Sequence, residues 1–562
     1  MFALAGMIAI PAAAQERASV SDLPAPGVVR SELPLEQSDG APIARVFVDL
    51  LGTSGDDARD QAVRASIDGL IRQHVGPRVN AAKLRALPAA LAGIHHVGAP
   101  AVAIYGASEP GAVVVVVRAT LSVEAQAVAS KVDPTLIASG PGGVLHWRLS
   151  GGMGLFSDHN AWFGAPASFT AGSPIALDPP GRGSATWAEA SVEYGLAGAV
   201  RLGQLPATAF AEVTAVSSGS TGHDLFRSDT RFRTATEKEY AGVAWVGGSR
   251  ERYLRLSAGR QNWQLYGGFL FSRFAAGSNA GPSPGLYLSP RTTYQQARLF
   301  DARWENWRLE AFDVDPSELA GFDSDSRYVG MNVRYARPEA WELGLTRYHV
   351  PESRATLALA SGGCVPRKGV QVLAARAGWN GVVGIDGLDL LGELAQQEHR
   401  DQPWDARAWY AQVRYTAARA PWTPSVTYRR AVYSGDQPGT VQQEAFDAPL
   451  SSGLDEWVQG VVFKKVVTNS NLRTHRIRLN FGPRPQLNYT VDLFRLDADV
   501  ATAAGNRHYG DELDVALRWS LTPRLFLLGV AGVAWPGAIM QERANNTARP
   551  WTTLQASLFW GI

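Results

Sequence analysis

The chain is poor in cysteine, lysine, net charge and long apolar runs, and each shortage closes off a class of function. Cys364 is the only cysteine in 562 residues, which excludes a disulfide framework and a cysteine-ligated zinc or iron–sulfur site. The net charge is +1, where a nucleic-acid partner would ask for a plainly basic surface. Lysine occurs six times, so 47 of the 53 basic residues are arginine. Guanidinium groups keep their charge in almost any surroundings and grip carboxylates as a fork. No stretch reaches the ~18 uninterrupted apolar residues of a membrane helix; the nearest, Ala99 to Leu121, is broken by Glu109-Pro110. Catalytic signatures are missing as well. Gly281-Pro282-Ser283-Pro284-Gly285 spells G-x-S-x-G, but its two prolines and the lack of a following helix deny the strand-to-helix elbow such a nucleophile needs. No phosphate-cradling Gly-Lys-Ser/Thr loop and no His-Glu-x-x-His helix occur. His95-His96 has no acidic neighbour and reads as surface histidine. The expectation is a protein with no catalytic residues, no metal and no cofactor.

What is present begins with an address. Phe2 to Ile10 is a short apolar run, followed by Pro11 and Ala12-Ala13-Ala14 before a polar start at Gln15. That predicts a signal peptide over residues 1–14 and export. Residues 43–121 then parse as a small β-α-α-β-β domain. Ile43 to Val48 is strand-like, Ala58 to Val75 has a helical apolar face, and Gly76-Pro77 stops it. Asn80 caps a second helix carrying Leu84, Leu87 and Leu91, and strands follow at 101–105 and 113–118. Asn80-Ala81-Ala82-Lys83-Leu84, Leu91-Ala92-Gly93-Ile94 and the hairpin around Glu109-Pro110-Gly111 resemble the polypeptide-transport-associated (POTRA) domain of two-partner secretion transporters. The resemblance implies a periplasmic domain that offers sheet edges to partners. Residues 122–185, rich in Gly, Pro, Ser and Ala, read as a linker with a strand or two near Val144 to Leu149.

From about Thr186 to the end the chain alternates with period two. Ala188, Ala190, Val192 and Tyr194 alternate with Glu189, Ser191 and Glu193, and Val329, Met331, Val333 and Tyr335 alternate with Gly330, Asn332 and Arg334. The pattern recurs near 341–346, 409–415, 477–481, 487–493 and 513–519. Each segment therefore has one apolar and one polar face. Aromatics sit near strand ends (Trp187, Trp341, Tyr415, Trp519), and the chain closes on the apolar strand Leu554 to Trp560. These features favour an all-β fold, a transmembrane antiparallel barrel over 186–562, rather than a soluble sheet with bare edges. At roughly 20 residues per strand and loop, about 16–18 strands fit. That size leaves a watery lumen rather than a filled core.

Inward-reading positions supply Arg255, Arg308, Arg334, Arg414, Arg476, Arg478 and Arg518 against carboxylates that include Glu310 and Asp492. Rings of arginine favour anions, whereas pairs with carboxylates brace the wall. The strand Leu254-Arg255-Leu256-Ser257-Ala258-Gly259-Arg260-Gln261, the segment Arg298-Leu299-Phe300-Asp301-Ala302-Arg303-Trp304 and the hairpin Gly532 to Gly537 resemble the alginate export family. That resemblance implies a monomeric outer-membrane pore passing an acidic exopolysaccharide, and adds Arg260, Arg298 and Asp301 as pore-wall candidates. Ala302 stands where the family often has glycine after Phe-Asp. Two alternatives stay open: a two-partner secretion transporter threading a protein chain, and a general diffusion porin. The partners expected are the exported polymer, periplasmic or inner-membrane export machinery and outer-membrane lipid. Loops 275–292 and 433–452 are candidate gates.

Overall fold

The computed structural model describes residues 35–52, 66–106, 113–121, 135–162, 181–225, 230–246, 252–273, 285–288, 292–318, 323–451 and 456–561, apart from gaps of one or two residues within them. The signal-peptide segment, His95-His96 and residues 281–284 of the G-x-S-x-G text lie outside the described residues. The chain divides into two compact units between Pro134 and Thr135.

The first unit is a three-stranded sheet with helix α1 (Ala81–Ala92) on it. Its strands are β1 (Ile43–Gly52), β2 (Val97–Gly106) and β3 (Val113–Leu121), in the order β1-β3-β2. β1 runs parallel to β3, and β2 antiparallel to it. Asn80 caps α1 as its sequence suggests, its Oδ1 accepting the Lys83 N–H at 3.0 Å. Leu84, Leu87 and Leu91 share one helical face and bury with Ile67, Val115 and Val117.

The second unit is a closed barrel. Its strands begin with the short β4 (Leu136–Gly140), then β5 (Gly143–His159), β6 (Ser184–Arg201), β7 (Ala207–Gly222), β8 (Arg231–Val246) and β9 (Arg252–Gln261). β10 (Tyr294–Trp304), β11 (Trp307–Pro316), β12 (Arg327–Arg337) and β13 (Trp341–Glu352) follow. A loop hairpin of β14 (Thr356–Ala358) and β15 (Cys364–Pro366) comes next. β16 (Val370–Trp379), β17 (Leu388–His399), β18 (Asp405–Thr416) and β19 (Ser425–Tyr433) continue the wall. β20 (Leu472–Arg484), β21 (Leu487–Asp497), β22 (His508–Thr522), β23 (Leu525–Pro536), the short helix α2 (Ala538–Arg543) and β24 (Trp551–Gly561) complete it. Neighbouring strands pair antiparallel all the way round, and β24 closes on β5. Eighteen strands thus form the ring, β5–β13 and β16–β24, with β4 paired to the start of β5.

Closure answers the hydrogen-bonding demand of lipid, because each wall strand pairs on both sides and no edge remains. No helix among the described residues is long and apolar enough to cross a membrane. The outward face carries exposed Leu155, Leu196, Leu256, Met331, Leu345, Leu394 and Leu554, as a lipid-facing surface requires. One end of the barrel has short turns, such as Glu305-Asn306, and the other has long loops, such as 262–293 and 434–471. Trp304, Trp307, Trp379, Trp422 and Trp519 stand exposed near the short-turn end, as an interfacial girdle.

The structure moves the barrel's start upstream. The stretch read as linker contains β5, all of it in the wall. Glycines hid it: a Cβ on Gly151 would meet Trp560 Cζ2 at 2.5 Å, and one on Gly152 would meet Phe559 Cδ1 at 2.8 Å. The closing strand's rings cover the glycines, so the apolar alternation of β5 is partly supplied by its neighbour.

Candidate functional site

The lumen has two zones, each built by the inward parity of the strands. Toward the long loops many inward positions are apolar or small, among them Phe312, Tyr328, Tyr348, Ala374, Ala395, Ala408, Ala431, Leu472 and Ala534. Loops fold back onto them. Phe271 from loop 262–293 packs edge-to-face on Phe312 and Tyr348 at 5.0 and 4.8 Å between centroids. Phe269 meets Tyr410 of the wall and Trp457 of loop 434–471 at 5.2 and 4.9 Å. Trp162, from the loop after β5, packs on Phe463 and Trp551. Phe269, Phe271, Trp457 and Phe463 are fully buried.

Wall carboxylates seat these loops. Glu189 of β6 accepts the backbone N–H groups of Leu286, Tyr287 and Leu288 at 2.7, 2.8 and 2.6 Å, and the Trp187 indole N–H at 2.6 Å. Glu512 of β22 accepts from Val462 and Phe463 at 2.7 and 2.8 Å, and Asp514 from Val461 at 3.1 Å. Lys465 reaches Asp158 at 2.6 Å. Buried backbone donors without such acceptors would be costly.

Toward the short turns the inward positions are ionic. Arg308 bonds Asp301 at 2.9 Å and Glu310 at 3.1 Å, and Glu310 also accepts from Asn332 at 2.8 Å. Arg334 and Arg376 share Glu342 at 2.5 and 2.9 Å, and Arg376 also reaches Glu393 and the Tyr410 hydroxyl. Arg414 holds Asp389 at 2.6 Å. Arg476 and Arg478 hold Asp492 at 2.8 and 2.7 Å. The carboxylate of Glu456, on loop 434–471, docks between Arg429 and Arg478, the latter at 3.3 Å. Arg255 and Arg518 differ from the rest: among the described residues neither makes an ion pair. Arg255 lies 4.8 Å over the Phe210 ring and Arg518 4.5 Å over Phe526, cation–π contacts that leave the guanidinium edge available.

Arg255, Asp301, Arg308, Glu310, Arg334, Arg414, Arg476, Arg478 and Arg518 therefore all face the lumen. Two candidates do not. Arg298 pairs in register with Ala258 and Asp313 and shares its face with Phe300, Ala302 and Trp304. Its side chain is 64% exposed and bonded to Asp313 at 2.9 Å on the outer surface. Arg260 shares the outward parity of Leu256 and Ala258 and donates to Ser317 Oγ at 2.9 Å. The structure takes both off the pore wall. Arg376, Glu393, Asp389 and Glu456 belong to the lumen network without having been singled out. The alternation Val372-Ala374-Arg376-Gly378 could have found Arg376. Glu456 sits in a loop and carries no such signal.

Of loop 275–292, residues 285–288 and 292 are described; Leu286, Tyr287 and Leu288 bond Glu189 and Thr292 bonds Glu237. Loop 433–452 contributes Phe446 and Leu450 to the same core.

The Glu456 contact should respond to acid. Burial opposes its charge, but Arg429 and Arg478 outweigh burial and hold its carboxyl below the usual glutamate value of 4.5. A lowered pKa stabilises the docked loop fully above that ordinary value, and the contribution is lost as pH falls through the folded one. Loop protection from protease at pH 5 should match that at pH 7 and fall only once the pH drops below the ordinary glutamate value of 4.5. Loss already at pH 6 would remove Glu456 from the seat.

A family profile described as alginate export matches residues 233–552. No curated protein matches the chain. Solved structures similar to it include Pseudomonas aeruginosa OccK5 (OpdH), at 10% identity and a TM-score of 0.45, covering 74% of this chain and 98% of that one. The outer membrane protein OprD from Pseudomonas aeruginosa is similar at 10% identity and 0.44, with coverage of 74% and 93%. Acinetobacter baumannii OccAB1 is similar at 11% and 0.43, with coverage of 74% and 96%.

Proposed function

The chain belongs to the alginate export family, and on that premise we propose that this outer-membrane pore carries an acidic exopolysaccharide through its lumen. The observation that carries the reading is the pair of lumen arginines, Arg255 and Arg518, on β9 and β22, which make no ion pair among the described residues. Each stands near the short-turn end, where a polymer from the periplasm would enter. A guanidinium already matched to a carboxylate has little left for a passing uronate, whereas an unmatched one offers charge-assisted hydrogen bonds. The ion-paired arginines brace the wall.

The docked Glu456 supports the same chemistry. Among the described residues Arg429, Arg476 and Arg478 share two carboxylates, Asp492 and Glu456, and the second belongs to a loop. A carboxylate-bearing polymer competes for that loop's place, so cargo opens its own path. The barrel itself performs no reaction, and the driving force comes from synthesis or a motor on the inner side.

In the N-terminal unit, the order β1-β3-β2 leaves β1 and β2 as edges. As a periplasmic POTRA-like domain it would receive the polymer or dock export machinery by strand addition. Deleting residues 43–121 distinguishes the alternatives. Loss of surface glycan fits export, whereas loss of a secreted protein with glycan intact fits two-partner secretion.

In a planar bilayer, a polyuronate should block the current of the protein. Arg255→Gln with Arg518→Gln should weaken that block about tenfold or more. Arg298→Gln, on the outer face, should leave it unchanged. Equal blockade in the double variant would defeat the assignment.

A further inference from the structure

On the outer face of β19, β20 and β21, near the long-loop end, Arg430, His475 and Arg495 stand side by side in register. All three share the lipid-facing parity of Tyr428, Ile477 and Leu493, the row beneath them. That lower row is exposed and apolar. Arg430 makes no ion pair among the described residues; its guanidinium lies 5.9 Å over the Trp409 ring. His475 Nδ1 is 2.8 Å from the Tyr428 hydroxyl, and Arg495 reaches Asp497 only at 3.5 Å.

This row is expensive as it stands. Arginine at a lipid boundary costs free energy unless something anionic meets it. The wall offers no such group to Arg430. The missing charge must come from the lipid phase.

We propose that this row binds the headgroup of a phosphorylated glycolipid in the membrane leaflet at the long-loop end. Three basic positions on adjacent strands span about 10 Å. That width suits a disaccharide carrying two phosphates better than a single phosphodiester. The acyl chains would lie down the Tyr428–Ile477–Leu493 row and the Val426–Leu479–Val491 row below it. The outer-face pair Arg298–Asp313 serves as a contrast: there the arginine is already neutralised by a carboxylate at 2.9 Å. The inference rests on the barrel spanning a membrane and not on what the lumen carries.

Native mass spectrometry of the purified full chain tests it, with a bis-phosphorylated diglucosamine lipid as probe. The same lipid after phosphatase treatment and phosphatidylglycerol are the comparison arms. The expected result is retention of the bis-phosphorylated lipid and about a twentyfold loss of affinity when Arg430→Gln and Arg495→Gln are combined. Each single variant should fall between, and a heat-dependent gel shift verifies folding. Equal retention of the dephosphorylated lipid or of phosphatidylglycerol overturns the glycolipid assignment. Unchanged affinity in the folded variants overturns the site. Lumen conductance and polyuronate block should be the same in wild type and variants, so this test and the transport test fail separately.

Discussion

Gly460→Val is expected to raise the steady conductance of the barrel well above that of the wild type. Gly460 sits at the tip of the in-folded loop with φ +76°, a conformation in which a β-branched side chain costs about 1–2 kcal/mol. Its missing side chain also makes room for chemistry. A Cβ there would collide with the Glu512 carboxylate, the group that accepts the N–H groups of Val462 and Phe463. The added atoms must push the tip off its acceptor, and the burial of Val461, Val462 and Phe463 goes with it. Even one such side chain contributes roughly 1.5–3 kcal/mol. Together with the backbone strain, the open-to-closed ratio should rise about a hundredfold. Single-channel recording in a planar bilayer checks this. Gly439→Ala, in the same loop but with open space around it, should behave as wild type. A closed Gly460→Val channel would mean that the loop tip does not govern the path.

The alternation of apolar and polar residues was enough to give the barrel, its approximate strand count and most of its inward face. Val329, Met331, Val333 and Tyr335 do point to lipid, and Arg334 does point inward. The same rule would have placed Arg260 with Leu256 and Ala258, and Arg298 with Phe300 and Trp304, on the outer face. Short motifs resembling the family placed them in the pore instead, and strand parity decides otherwise. Parity fails where glycines replace the large residues, so β5 was hidden in apparent linker. It is also silent on loops. The run Val461-Val462-Phe463 is apolar enough to suggest burial, but its acceptors lie about fifty residues onward on β22. Nothing local names them. Pairing is the other unreadable quantity. The sequence shows Arg255 and Arg334 as equivalent inward arginines, yet one lies bare over Phe210 and the other is matched to Glu342.

Lys465→Ala is expected to release loop 434–471 more severely than the loss of any apolar contact in it. The Lys465 ammonium and the Asp158 carboxylate are both fully buried and 2.6 Å apart. The Trp551 indole N–H also donates to Asp158 at 2.6 Å, and the ammonium lies 5.1 Å over that same ring. Removing the lysine strands a carboxylate in the core with one neutral donor, at a cost of about 3–5 kcal/mol. Because Lys465 is on the loop and Asp158 on the wall, the structure can lower that cost by letting the loop leave and water enter. Chymotrypsin cleavage at the now accessible Phe463 should accelerate by about a hundredfold or more. Lys465→Met combined with Asp158→Leu should recover most of the protection, since a buried ion pair and its apolar replacement are often nearly equal in stability. An apolar pair would hold the loop without fixing one position for it, so the double variant should also show a broader spread of conductance levels. Cleavage as fast in the double variant as in Lys465→Ala would show that the pair stabilises the seat outright. Single variants as resistant as wild type would show that the loop is held elsewhere, by Glu512, Asp514 and the aromatic core alone.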